Sequence, residues 1–122
     1  MSTEKVPRVV QLAEDSSEAL RSLCHITGGP MPAPLLYDVL GNLKGSGYRL
    51  AQALQQMSSG LGLSLDKYDV YDGEGRDPVQ SVATAVDHLT RAGQLATQLG
   101  QELDLAQSAI NMQGYRQAEQ AD

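Results

Sequence analysis

The sequence predicts an all-α protein, and three observations carry that expectation. The 122 residues include neither Phe nor Trp, so a core has to be built from Leu, Val, Ile, Met and Ala, side chains that pack well between helices. Apolar residues recur in alternating three- and four-residue steps over two long stretches, the period of one face of a helix. Glycine and proline, which punctuate helices, gather mainly in two zones. The length is that of a single domain, 1–122, with room for one modest core.

The first segment, 7–27, places Val9, Ala13, Leu20 and Leu23 on one face together with Ser16. Asp15 with Glu18 offers an alternative, shorter start in a capping-box arrangement. It ends at Gly28-Gly29-Pro30-Met31-Pro32-Ala33-Pro34, where the glycines stop one helix and a proline is placed to open the next.

The second segment, 34–62, carries the stripe Leu36, Leu40, Leu43, Gly47, Leu50, Leu54, Met57 and Leu61. Its weak point is Gly45-Ser46-Gly47, since each glycine costs roughly 1 kcal/mol against Ala inside a helix. The stripe keeps its phase across that point, which predicts a kink at 45–47 rather than a loop. An acidic connector follows at 63–77.

The third segment, 78–113, has Asp77 as N-cap, Pro78 at the first helical position and no later proline. Val82, Ala85, Leu89, Ala92, Ala96, Leu99, Leu103, Ala106 and Ile110 follow the helical step without exception. Chance would produce that run with a probability on the order of 10⁻³ or less, so the period belongs to the sequence. The result is one amphipathic helix of about 35 residues and roughly 50 Å, followed by a tail at 114–122.

The Leu-rich second segment and the Ala-rich third form a large-to-small complement. Ala85, Ala92, Ala96 and Ala106 are expected in the seam, with Gly93 and Gly100 flanking it. The predicted architecture is an antiparallel long-helix hairpin with the N-terminal helix packed across it, bundle-like and completed by dimerisation or higher oligomerisation. The expected packing and interface stripe consists of Leu36, Leu40, Leu43, Leu50, Leu54, Met57, Val82, Leu89, Ala96, Leu99, Leu103 and Ile110.

Several chemistries are disfavoured. A formal net charge of −6, with nine basic residues scattered along the chain, argues against direct nucleic-acid binding, which needs clustered Lys and Arg. No apolar run approaches the roughly 20 residues of a membrane span or the core of a signal peptide, and a lone Cys24 forms no internal disulfide. A cytoplasmic protein without membrane insertion is expected. The acidic connector fails the calcium-loop pattern in either glycine register: Gly73 places Tyr68 and Val70, and Gly75 places Val70, where oxygen ligands belong. Cys24 and His25 are neighbours whose side chains diverge by about 100° on a helix, which does not make a catalytic pair, and two histidines in separate segments do not suggest zinc. Gly41, Gly45 and Gly47 interrupt a helical stripe and match no phosphate-binding fingerprint. No catalytic residue, metal or cofactor is predicted.

Tyr68 and Tyr71 are candidate partner contacts at the connector. Near the C-terminus, Tyr115 and Glu119 are separated by three residues, a spacing that resembles the export signal following the helical hairpin in the Trp-x-Gly proteins of type VII secretion, which are likewise small and acidic. The resemblance implies a secretion substrate or partner exported without a cleavable signal peptide. The chain departs from that family in having no Trp and a longer inter-helix loop, and Tyr68 with Asp72 gives a second copy of the spacing. The leading functional expectation is a non-enzymatic helical module that binds other proteins, as a homodimer or higher oligomer.

Overall fold

The computed structural model describes residues 5–118. Among them the chain is all-helical, with α1 at Arg8–Ile26, α2 at Ala33–Lys67 and α3 at Pro78–Ala109, and without strands. The chain divides into two compact units between Pro32 and Ala33. Glu119, singled out by its spacing from Tyr115, lies outside the described residues.

In the first unit, α1 starts directly after Pro7, whose side chain cannot cap it. The helix is continuous through Asp15 and Glu18, so the alternative start is not used. Its surface is held by exposed local pairs: Gln11 Nε2 donates to Asp15 Oδ1 at 2.9 Å, and Arg21 approaches Glu18 at 3.7 Å. At the far end the Thr27 hydroxyl donates to the Leu23 carbonyl at 2.7 Å. No α1 residue is buried, and Val9, Leu12, Leu20 and Ile26 are all exposed.

In the second unit α2 packs on α3. The helix runs unbroken through Gly45-Ser46-Gly47 and continues five residues past Gly62 to Lys67. Leu61 and Leu65 keep the apolar phase beyond the glycines, and the Ser64 hydroxyl donates to the Leu61 carbonyl at 2.6 Å inside the helix. Ser46 likewise turns its hydroxyl back to the Asn42 carbonyl at 3.1 Å, so it serves the helix interior instead of capping a new segment.

α3 opens as its sequence predicts. Asp77 Oδ1 accepts from the Val79 N–H at 3.0 Å with Pro78 at the first position, which satisfies an otherwise orphan donor. The helix ends at Ala109, four residues before 113, with the Ile110 N–H bonded back to Gln107.

The connector, residues 68–77, is organised by Asp72. Its carboxylate accepts from the Glu74 N–H at 2.8 Å, from Arg76 Nε at 3.1 Å and from the Arg76 N–H at 3.4 Å. Gly75 has a φ of 77°, a left-handed backbone that favours glycine.

Candidate interaction surface

Contacts between α2 and α3 run in opposite order along the two helices. Gln107 Nε2 donates to the Tyr37 carbonyl at 3.0 Å, Lys44 Nζ meets Asp104 Oδ1 at 2.7 Å, Gly47 lies against Ala96 and Gly100, and Gly93 lies against Ala51 and Leu54. Early α2 therefore meets late α3.

The backbones approach most closely at the glycines. A Cβ built on Gly47 would stand 3.2 Å from the Gly100 nitrogen and 3.3 Å from the Ala96 carbonyl oxygen. The Tyr48 ring covers Gly100 so tightly that a Cβ there would be 2.7 Å from its Cε1. Gln107, buried, occupies the space over Gly41. The seam of α3 thus passes through Gly93, Gly100 and Gln107 beside Leu89, Ala96 and Leu103. Gly93 and Gly100 do not merely flank it, and Ala106 of the expected seam is exposed. The physical reason is that glycine allows a closer helix approach than alanine, while carrying no hydropathy signal to mark the face.

This seam uses only part of the apolar stripe. Among the stripe residues, Leu40 and Ala96 are buried, whereas Leu36, Leu43, Leu54, Val82, Leu89, Leu103 and Ile110 are half-buried. Leu50, Met57 and Leu99 are exposed at 48%, 48% and 51%. Ile110 caps α3 from just outside it. No described side chain is fully buried.

Helix geometry places the uncovered residues. Leu36, Leu43, Leu50 and Met57 are spaced by seven and form one row along α2; Ala85, Ala92, Leu99 and Ala106 form the same kind of row along α3. At about 100° per residue, each row lies roughly 90° anticlockwise of its helix's contact face when viewed from that helix's N-terminus. Because the helices run in opposite directions, the same sense of rotation brings both rows to one side of the pair. Leu95, 63% exposed, borders that side. All eight row positions lack an ionisable side chain.

On the other side a cleft of about 470 Å³ is lined by Gln52, Gln55 and Ser58 of α2 and Thr90, Gln94 and Thr97 of α3, together with Ala51, Leu89 and Gly93. Both apolar rows thus lie on one side of the α2–α3 pair, and amide and hydroxyl side chains join apolar ones in the cleft on the other.

Lys44 and Asp72 are engaged in holding structure. The hydrogen bond to Asp104 holds the Lys44 ammonium above its usual value against a smaller desolvation effect. The Glu74 N–H, followed by the Arg76 side chain, holds the Asp72 carboxyl below its usual value. Cys24 is exposed, and Arg91 Nη1 lies 3.4 Å from His88 Nδ1 on the surface of α3. Among the described residues no group of three His, Cys, Asp or Glu side chains could hold a metal ion, and no helix is long and apolar enough to cross a membrane. Tyr68, Tyr71 and Tyr115 are exposed at 65%, 85% and 70%, the first two in or at the edge of the connector and the third in the non-helical tail.

No family model, no curated protein and no solved structure matches the chain. Sequence reasoning located the apolar residues of the surface but not their division between a seam and an open face. The signal that could have divided them is the seven-residue repeat of Gly93, Gly100 and Gln107 beside the repeat of Ala92, Leu99 and Ala106.

Proposed function

We propose that this protein is a non-enzymatic interaction module that binds other proteins through the apolar face of its α2–α3 unit. The observation that carries the reading is the coincidence of two apolar rows on one side of the pair, with Leu50, Met57 and Leu99 each about half exposed and no ionisable group in either row. A contiguous apolar patch of this kind marks an interaction site. Burying it would contribute on the order of 25 cal/mol per Å² removed from water, before the cost of association. The connector joins the two helices, and the Lys44–Asp104 pair ties early α2 to late α3 at 2.7 Å.

The test uses tagged full-length protein in its native host, comparing wild type with a Leu50→Glu, Leu99→Glu double variant by co-purification and mass spectrometry. Proteins retained by wild type and lost in the variant are expected. Identical profiles for the two would overturn the reading, because a face that tolerates two new carboxylates is not a binding face.

A further inference from the structure

We infer that the occupant of the apolar face is a second copy of this chain, related by a two-fold axis parallel to α2 and α3 so that the α2 row of each copy meets the α3 row of the other. The inference rests on the proposed interaction reading and deepens it. Three features of the molecule point to self-association.

The first is complementarity of size. The α2 row is Leu, Leu, Leu, Met and the α3 row is Ala, Ala, Leu, Ala. A two-fold axis brings Leu43 beside Ala106 and Met57 beside Ala92 of the other copy, large against small as interdigitating layers need, with Leu50 beside Leu99 at the centre, and it does so twice, as an isologous interface requires.

The second is register. Each row spans 22 residues, 36–57 and 85–106, and the two are staggered so that Leu36 and Ala85 lie beyond the stretch they share. Gly47 lies opposite Gly100, so Leu50 and Leu99 differ in level by two residues, about 3 Å. The same offset holds for Leu43 with Ala106 and for Met57 with Ala92. A rotation about an axis parallel to the helices preserves those levels, so Leu50 of one copy falls beside Leu99 of the other without sliding.

The third is area. The stretch shared by the two rows is about 24 Å long, and two helices side by side are about 20 Å wide. The projected face is on the order of 500 Å², and interdigitated side chains remove more than the projected area from water. A standard interface takes about 800 Å² from each partner, so one copy covers what the face offers. The rows themselves are uncharged, while the two-fold axis sets the acidic ends of the two copies, Asp66, Asp69, Asp72, Glu74 and Asp77, side by side, with Lys67 and Arg76 offsetting part of that repulsion.

Size-exclusion chromatography with light scattering on the purified full chain tests the inference. Wild type should run at twice the 13.0 kDa of one chain. The Leu50→Glu, Leu99→Glu variant should run at 13.0 kDa with an unchanged far-ultraviolet circular dichroism spectrum. A Gln52→Glu, Gln94→Glu variant, altered in the cleft on the opposite side, should stay at twice that mass. A monomeric wild type at about 100 μM overturns the second copy and leaves the co-purification experiment to judge the interaction reading on its own. A dimer that persists in the Leu50→Glu, Leu99→Glu variant overturns the assigned face. The two-fold arrangement is read by mixing Leu50→Cys and Leu99→Cys chains, each in a Cys24→Ser background, with a short bis-maleimide. Crosslinked product enriched in the mixture over either chain alone supports it, and absence of enrichment overturns it.

Discussion

Replacing Gly47 by Ala sets two opposing effects against each other at the point where α2 and α3 lie closest. Alanine gains about 1 kcal/mol over glycine in a helix interior. At Gly47, however, the new methyl meets backbone on three sides, 3.2 Å from the Gly100 nitrogen and 3.3 Å from both the Gly100 Cα and the Ala96 oxygen. Ordinary contact between such atoms is about 3.5–4.0 Å, and neither helix backbone can rotate aside, so the helices must separate by a few tenths of an ångström along their whole contact. Overpacking of that kind costs about 1–3 kcal/mol. Gly60→Ala is the matched control: it is also interior to α2, and its new methyl meets nothing within 4 Å. Gly60→Ala should therefore stabilise by up to about 1 kcal/mol, while Gly47→Ala should be neutral to destabilising by about 2 kcal/mol. The difference of about 1–3 kcal/mol isolates the seam, because the propensity gain cancels. Urea unfolding followed by circular dichroism at one fixed protein concentration measures both. Equal stabilisation by the two substitutions would refute the close approach at Gly47 and Gly100.

Four further outcomes are expected. Asp77→Ala removes the bond to the Val79 N–H and should cost about 0.5–2 kcal/mol in the same unfolding assay, whereas Asp77→Asn should retain most of that stability. The Asp72 carboxyl should titrate below 3.8 by carbon-detected NMR, and Arg76→Ala should raise its midpoint without removing the whole shift, since the larger cause is the Glu74 N–H. A depressed folded value means that the Asp72 contribution is present above the ordinary 3.8 and is lost as pH falls through the lower folded value. Lys44 has the opposite sign: its folded value is raised above 10.5, so its contribution is complete below that pH and is lost as pH rises through the folded value, and Asp104→Asn should weaken this alkaline dependence.

The three helices are legible in the sequence because their determinants are local. Proline and glycine at 28–34 separate α1 from α2, and Asp77-Pro78 sets the start of α3 to the residue. The end of α2 is misplaced because Gly60 and Gly62 read as a stop, whereas the continuing Leu61 and Leu65 phase outweighs two glycines that cost about 1 kcal/mol each. Which side of each stripe meets the partner helix is not legible from hydropathy. The three- and four-residue count finds the mean apolar direction of a helix, and here that direction bisects two faces. Leu99 and Ala106 pull the average toward the open side, while Gly93, Gly100 and Gln107 define the seam with almost no weight in the count. The division between seam and open face is geometric, set by backbone proximity at Gly47, Gly93 and Gly100.

The Tyr48 ring lying over Gly100 has a spectroscopic consequence. A chain without Trp or Phe absorbs in the near ultraviolet essentially through its five tyrosines, and Tyr68, Tyr71 and Tyr115 project into solvent. A ring lying against a helix backbone is a chromophore that acquires optical activity, so the tyrosine band of the circular dichroism spectrum carries a contribution that reports how tightly Tyr48 closes on Gly100, available without any label.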